Sequence, residues 1–223
     1  YDWWNNLDFV KSLRVYFISL GAIFFQYNVL AGILIALGIL YYSRIAFSLS
    51  LIGFYAAYYF YEIIGANLTD LSYTYIGFNY ILTSIAIGGF FLIPSYRSYL
   101  WTVILVPLVA LITISTNIVF AYLQLSVYSL PFNIIVLLFL YILKFRTDFK
   151  RGPTEVAVQQ NSPEKNLYSY LNHTKRFKDH KMVPVMLPFW GKWTVSQAHE
   201  GKYTHKDKWR HAWDFVITDK ENN

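Results

Sequence analysis

The chain has 223 residues, of which 56% are hydrophobic, 20% aromatic and 14% charged, and its net charge is +6. A soluble globular domain is about a quarter charged, so this composition excludes an ordinary soluble protein. The basic residues are scattered among acidic ones and form no stripe, which excludes nucleic acid as an expected partner.

Charge divides the chain into two parts. Residues 1–143 hold four basic and four acidic residues, whereas residues 144–223 hold the other 15 basic residues, 9 acidic residues and all five histidines. We predict a membrane domain over residues 1–146, a polar linker over residues 147–182 and the first part of a small β domain over residues 183–223. The sequence opens at Tyr1 inside a pattern and stops after a strand-like run, so we expect both ends to be cut.

Long uncharged runs in the first part predict transmembrane helices, because about 20 apolar residues cross the hydrocarbon of a bilayer. Residues 12–27 are apolar but short, and they end at a break over residues 28–32, which indicates a re-entrant half-helix. Lys144 and Arg146 follow the last run and favour a cytoplasmic location for that end. The five predicted spans cover residues 29–48, 50–66, 75–95, 100–122 and 128–146.

The polar groups inside these spans are mostly amides and hydroxyls. They are Gln26 and Asn28 at the first break, Asn79, Thr83 and Ser84 in the third span, Thr113, Ser115, Thr116 and Asn117 in the fourth, and Ser129 and Asn133 at the start of the fifth. A pore lined by such groups suits a small neutral solute, because ions are bound by rings of carbonyls or charges. Small polar residues also pack transmembrane helices together, and the sequence leaves both roles open.

Three of these motifs together resemble the second half of the urea transporters, over residues 10–146. The motifs are Gly21-Ala22-Ile23-Phe24-Phe25-Gln26-Tyr27-Asn28-Val29-Leu30-Ala31-Gly32, Gly77-Phe78-Asn79-Tyr80 running to Gly88-Gly89, and Ser129-Leu130-Pro131-Phe132-Asn133. The resemblance implies an all-α polytopic membrane domain with five transmembrane helices and a re-entrant pore half-helix. Such a domain is one half of an inverted repeat, and an incomplete small β domain follows it.

The resemblance further implies a passive channel for urea or a related small amide, working as a homotrimer in a bacterial inner membrane and needing no cofactor. The implied pore residues are Phe24, Phe25, Asn28, Ser129 and Phe132, and the implied helix break comprises Asn28, Val29 and Gly32. Ala22 departs from the family, which has Gln or Glu facing the solute there, and Val29 replaces a proline. Because half a pore wall is absent, we expect this chain alone not to transport; a sensor or assembly role without flux is a third possibility.

The tail carries a second resemblance, to the opening of M23-type zinc metallopeptidases. It rests on Leu187-Pro188-Phe189-Trp190-Gly191, Thr204-His205 and His211-Ala212-Trp213-Asp214-Phe215. The predicted strands cover residues 183–187, 193–197 and 212–217. The resemblance implies zinc bound by His205 and Asp214, with His211 as the alternative histidine and a later His-x-His pair completing the site. It also implies an alternative function, a membrane-anchored peptidase directed at peptidoglycan, whereas surface histidines are the plainer interpretation.

Overall fold

The computed structural model describes residues 11–65, 77–146, 152–177 and 191–217. The chain divides into two units, Tyr1–Val183 and Pro184–Asn223. The described part of the first unit is helical, and that of the second contains a two-stranded sheet. The helices are α1 (Lys11–Ala22), α2 (Val29–Tyr42), α3 (Arg44–Ile63), α4 (Gly77–Ile85) continued by a π-helical turn (Ala86–Phe90), α5 (Tyr96–Tyr122), α6 (Leu130–Lys144) and α7 (Pro163–Phe177).

Each of the five predicted spans overlaps its counterpart among the helices α2 to α6. The predicted boundary between the first two spans is wrong, because Ser43 ends α2 and caps α3, which begins at Arg44 inside the range 29–48. Among the described residues, α5 is the one helix that is long and apolar enough to cross a membrane by length and composition. The shorter apolar helices are Val29–Tyr42, Gly77–Phe90 and Leu130–Lys144. The number of transmembrane spans therefore stays a prediction, while the order of helices along the chain follows the sequence pattern.

Polar residues mark where the helices begin. Asn28 caps α2 and Ser43 caps α3, each by accepting a hydrogen bond from a backbone N–H three residues later. Ser95 and Ser98 form a reciprocal capping box at the start of α5. These caps satisfy N–H groups that a helix leaves unpaired, which is essential where water is scarce.

Small residues allow the helices of the first unit to approach closely. Gly32 of α2 lies against the backbone of Phe17 in α1, and Gly53 of α3 lies against Tyr80 and Ser84 of α4. The hydroxyl of Ser84 also donates a 2.6 Å hydrogen bond to the Leu49 carbonyl of α3. Helix association in membranes depends on such close packing and hydrogen bonds, because lipid removes the hydrophobic driving force.

Several polar side chains between helices α1 to α4 are buried, whereas large apolar side chains are exposed on α2, α5 and α6. The hydroxyls of Tyr16 and Ser50 lie 2.7 Å apart, and those of Tyr61 and Tyr80 lie 2.8 Å apart, between helices. Large exposed apolar residues lie along α2, α5 and α6, among them Leu34, Leu37, Leu100, Val103, Leu111, Ile118, Leu137 and Leu138. This distribution is the one expected for helices that face lipid rather than water.

Part of the predicted polar linker is ordered against the membrane domain. The Ile93 N–H donates to the Thr154 carbonyl at 2.7 Å, and the Val156 N–H donates to the Phe91 carbonyl at 2.9 Å. Helix α7 follows, and its Glu164 carboxylate accepts hydrogen bonds at the start of α3. Residues 152–177 therefore pack against the preceding helices and contain a helix of their own, and we call them the docked segment. The low hydrophobicity of these residues predicted a linker and did not indicate this packing.

The second unit contains strands β1 (Thr194–Gln197) and β2 (Asp214–Val216), paired antiparallel. Thr194 pairs with Val216 and Gln197 with Asp214, with an irregularity between Val195 and Gln197. These strands lie within the predicted ranges 193–197 and 212–217, whereas the predicted strand 183–187 lies outside the described residues. A short 3-10 helix, Asp207–Trp209, lies between the two strands.

Candidate functional site

The first break interrupts the chain between α1 and α2. After Ala22 the backbone folds back on itself, and the Gln26 N–H donates to the Gly21 carbonyl at 3.0 Å. Phe25 adopts a left-handed backbone with φ of 58°. The chain then extends through Asn28, whose Oδ1 accepts a 2.8 Å hydrogen bond from the Ala31 N–H and so begins α2. A break therefore separates two helices near the predicted place, but it covers residues 23–28. Val29 and Gly32, which the prediction put in the break, belong to α2, because Asn28 already begins that helix as its cap.

The second break lies between α5 and α6. Leu125 N–H donates to the Phe120 carbonyl at 3.0 Å, which ends α5. Gln124 and Tyr128 both have left-handed backbones, with φ of 52° and 44°. Ser129 then precedes α6, whose first turn contains proline. Left-handed conformations are strained for residues with a Cβ, and such strain concentrates at functional positions.

Tertiary packing brings the two breaks together. The rings of Phe25 and Tyr128 meet edge to face, with centroids 5.9 Å apart and an interplanar angle of 81°. Asn79 of α4 lies behind this contact, fully buried. Its Nδ2 donates to the Tyr128 carbonyl at 2.9 Å, and its Oδ1 accepts from the Phe132 N–H at 3.4 Å. One amide therefore holds the last part of the second break and the first turn of α6.

The implied pore residues fall on both breaks. Phe24 and Phe25 are 65% and 62% exposed, and Asn28 is half-buried as the cap of α2. Ser129 and Phe132 are half-buried at the second break, where the Asn133 amide donates to the Ser129 carbonyl at 2.9 Å and to its hydroxyl at 3.3 Å.

The other motif positions are buried in the packing. Val29 is fully buried, Gly32 is buried against α1, and Ala22 is 2% exposed. Ala22 therefore offers the surface neither a side-chain donor nor an acceptor. The structure brings Phe25 next to the Ser129 segment through Tyr128, while the roles of these residues toward a solute stay predictions.

Two residues that matter for this geometry were not among the implied pore residues. Asn79 was one of many polar residues in the spans, and its full burial is what distinguishes it from them. Tyr128 is one of 20 tyrosines and precedes the serine of the third motif, so no sequence pattern singles it out. A positive backbone φ is visible only in a structure.

The surface formed by the two breaks is suited to a neutral, flat, polar solute. Among the described residues of the breaks, it presents aromatic rings, amides, a serine hydroxyl and backbone carbonyls, and no Asp, Glu, Lys or Arg. Amide and hydroxyl oxygens accept N–H hydrogen bonds, and ring faces cover apolar or flat surfaces. An ion would leave its charge unpaired on such a surface.

The second unit contains the predicted zinc ligands side by side. His205 is buried, its Nε2 lies 3.1 Å from Asp214 Oδ2, and its Nδ1 lies 2.7 Å from the Ala198 carbonyl oxygen. The bond to Ala198 raises the pKa of His205, and the Asp214 carboxylate adds to this while burial opposes it. Since a carbonyl oxygen only accepts, Nδ1 of His205 carries a proton and donates it to Ala198. Nε2 and the Asp214 carboxylate are then two acceptors, which need a proton or a metal ion between them.

The alternative histidine is engaged elsewhere. His211 Nε2 accepts a 2.9 Å hydrogen bond from Arg210 Nε, and its ring packs against His199. Among the described residues no group of three or more His, Asp or Glu is arranged to hold a metal ion. His205 and Asp214 fit as two ligands of a zinc site, and a complete site needs three or four.

Comparison with known families now places the helical part of the chain. Residues 2–144 match the family model of the urea transporter, and the match covers more than half of the sequence. The chain therefore belongs to the urea transporter family, which makes it a membrane protein and supports urea transport as its general function. A search of curated proteins finds none that matches. The family match ends before the docked segment and the tail.

Proposed function

We propose that the chain forms one side of a passive pore for urea or a related small neutral amide. The observation that carries this proposal is the meeting of two helix breaks at the contact between Phe25 and Tyr128. Broken helices that meet inside a membrane domain are a common way to build a solute site, because they free backbone groups that lie against protein rather than lipid.

The exposed faces of this surface favour a pore built from two halves. Phe24, Phe25 and Tyr128 are each more than half exposed, although they follow or precede helices that are otherwise packed. We assign these residues, with Asn28, Ser129 and Phe132, to the pore wall, and we propose that a second inverted repeat supplies the opposite wall. A homotrimer in a bacterial inner membrane is the assembly that we propose for it.

The test is stopped-flow uptake of urea into vesicles carrying the full-length protein. We expect urea flux well above that of empty vesicles. This flux should show little saturation with urea concentration, because a channel binds its solute weakly. Phe25→Ala and Ser129→Ala should each reduce the flux, since they remove a ring wall and a hydroxyl from the pore.

A matched substitution controls for loss of folded protein. Tyr41→Ala changes an aromatic residue of α2 that is 95% exposed and contacts neither break, so its flux should equal that of the parent. Wild-type flux no greater than that of empty vesicles, for urea and for acetamide alike, would end the channel proposal. It would leave an assembly or sensor role for the fold.

The tail supports a second candidate function, zinc-dependent peptide hydrolysis by an M23-like domain anchored by the membrane part. The 3.1 Å approach of His205 Nε2 to Asp214 Oδ2 favours it. His205 and Asp214 would hold the zinc, with the Ala198 carbonyl orienting the imidazole. Bound zinc supplies a water of lowered pKa and polarises the scissile carbonyl.

Metal analysis of the full-length protein tests this second candidate. We expect about one zinc per chain in the parent, less after His205→Ala or Asp214→Asn, and no change after His199→Ala, which alters an exposed neighbour. Zinc content that is the same in the parent and in both ligand variants would contradict the peptidase candidate. It would leave the hydrogen bonds of His205 and Asp214 as structural contacts.

A further inference from the structure

We propose that Tyr128 is a further solute-contacting residue of the pore and that Asn79 is the residue that positions it. This inference rests on the proposed pore and names a residue that the resemblance to the family does not supply. The solute class is a small neutral amide, which the Tyr128 hydroxyl recognises by accepting or donating one hydrogen bond.

The backbone of Tyr128 is held in a conformation that its side chain disfavours. Its φ is 44°, in the left-handed region where a bulky residue is rare. Glycine would adopt the same conformation without strain. The presence of tyrosine there, at the junction of two helices, indicates that its side chain has a role that offsets the backbone strain.

The ring and the carbonyl of Tyr128 are fixed from two directions. Phe25 meets the ring edge to face, and the buried Asn79 amide holds the carbonyl at 2.9 Å. Asn79 also accepts from the Phe132 N–H, so it ties Tyr128 to the first turn of α6. A residue with little freedom before binding loses little entropy when a solute arrives.

The hydroxyl is the part of Tyr128 that stays available. The residue is 58% exposed, and within the described ranges no group hydrogen-bonds its hydroxyl. On the facing break Ala22 is buried and has no polar side chain, and the Phe25 N–H donates to the Ala22 carbonyl at 3.0 Å. Tyr128 therefore brings a side-chain hydroxyl to a surface where its ring meets the ring of Phe25.

The chemistry matches an amide solute. A phenol hydroxyl both donates and accepts, so it can bond the carbonyl or an N–H of urea. The neighbouring ring of Phe25 covers the flat face of the solute at the same time. A single neutral hydrogen bond of this kind changes affinity or permeation by roughly 2- to 10-fold.

Tyr128→Phe isolates the hydroxyl, because it keeps the ring, its contact with Phe25 and the backbone conformation. The measurement is the permeability of urea and of 1,1-dimethylurea in vesicles carrying the full-length protein. We expect urea permeability to fall roughly 2- to 10-fold and the ratio of urea to dimethylurea to fall with it. Tyr41→Phe, at a distant exposed tyrosine of α2, should change neither value.

Asn79→Asp tests the positioning role. The substituted side chain is nearly the same size, but a carboxylate cannot donate to the Tyr128 carbonyl. We expect the selectivity ratio to shift as it does for Tyr128→Phe, and the two changes combined to be less than multiplicative, since both act through one hydroxyl. Ser84→Ala, at a buried hydroxyl of the same helix bonded to α3, should lower the amount of folded protein without moving the ratio.

Binding separates failure of this inference from failure of the channel. Saturation-transfer NMR with 1,1-dimethylurea and detergent-solubilised protein reports solute contact without flux. If Tyr128→Phe weakens the contact of the protein with dimethylurea, the site is supported even when vesicles show no transport. Absence of transport with this result would contradict only the channel proposal. The inference would be overturned if the parent shows flux and Tyr128→Phe equals it in urea permeability, in the ratio of urea to dimethylurea permeability and in binding. Absence of both flux and binding in the parent would overturn it as well.

Discussion

At Gly32 the backbones of the two helices of the first break lie against each other, so replacing it by alanine tests how the break is held. A Cβ at Gly32 would overlap the Phe17 carbonyl and lie 2.7 Å from the Phe17 Cα. Those atoms belong to the backbone of α1 and cannot rotate away as a side chain would. Helix α1 must therefore move, and it carries the turn that presents Phe25.

The expected magnitude follows from this overlap. Forcing extra volume into a packed core costs about 1–3 kcal/mol, and a clash with backbone lies at the upper end. Gly38 is the matched control, since it lies in the same helix and a Cβ there would meet nothing within 4 Å. Gly38→Ala should stabilise the helix by about 0.5–1 kcal/mol, because alanine loses less backbone entropy than glycine.

Thermal unfolding of the detergent-solubilised full-length protein measures the difference. One kcal/mol corresponds to about 2–4 °C for a domain of this size, so Gly32→Ala should melt at least roughly 4 °C below Gly38→Ala. Urea flux should fall for Gly32→Ala only. Equal melting temperatures for the two variants would show that α1 and α2 are not packed at Gly32 as described, and the position of Phe25 would then need another explanation.

Three further predictions follow from other contacts. Asn28→Ala removes the cap of α2 and should lower stability by about 1 kcal/mol, whereas Asn28→Ser should restore most of it in the same melting experiment. Burial raises the pKa of Glu164, but hydrogen bonds led by that from the Ile45 N–H bring it below its ordinary value. The docking of α7 should therefore persist at neutral pH and weaken as pH falls through this lowered pKa. Hydrogen exchange of α7 should rise in acid, and Glu164→Gln should lose that pH dependence; exchange independent of pH in the parent would contradict it. Gly53→Ala should separate α3 from α4 at Ser84 and lower the melting temperature, and a variant that melts like the parent would refute that packing.

The helices and the first break could be predicted from sequence because both are local properties. Long uncharged runs predict helices in a membrane, and an asparagine at the head of a new run indicates a cap. The segments resembling the urea transporters predicted the order of the helices, and the pore wall that they imply stays a prediction. The strand ranges 193–197 and 212–217 of the tail were likewise predicted from short local runs.

The docked segment was not predicted, since its composition is that of a solvated linker. Its order comes from partners far away in the chain: Phe91 and Ile93 for the backbone pairing, and Ser43 for Glu164. A polar residue has the same place in the sequence pattern whether it faces water or accepts hydrogen bonds from the start of a distant helix. Only the fold distinguishes those environments.

What the sequence by itself determined is therefore the class of protein, the succession of helices and the approximate position of the first break. The tertiary structure alone decided that the break at Phe25 meets the break at Tyr128 and that the Asn79 amide fixes the second one. The physical reason is that local pattern sets backbone conformation, whereas contact between segments about a hundred residues apart depends on how apolar faces and small residues pack.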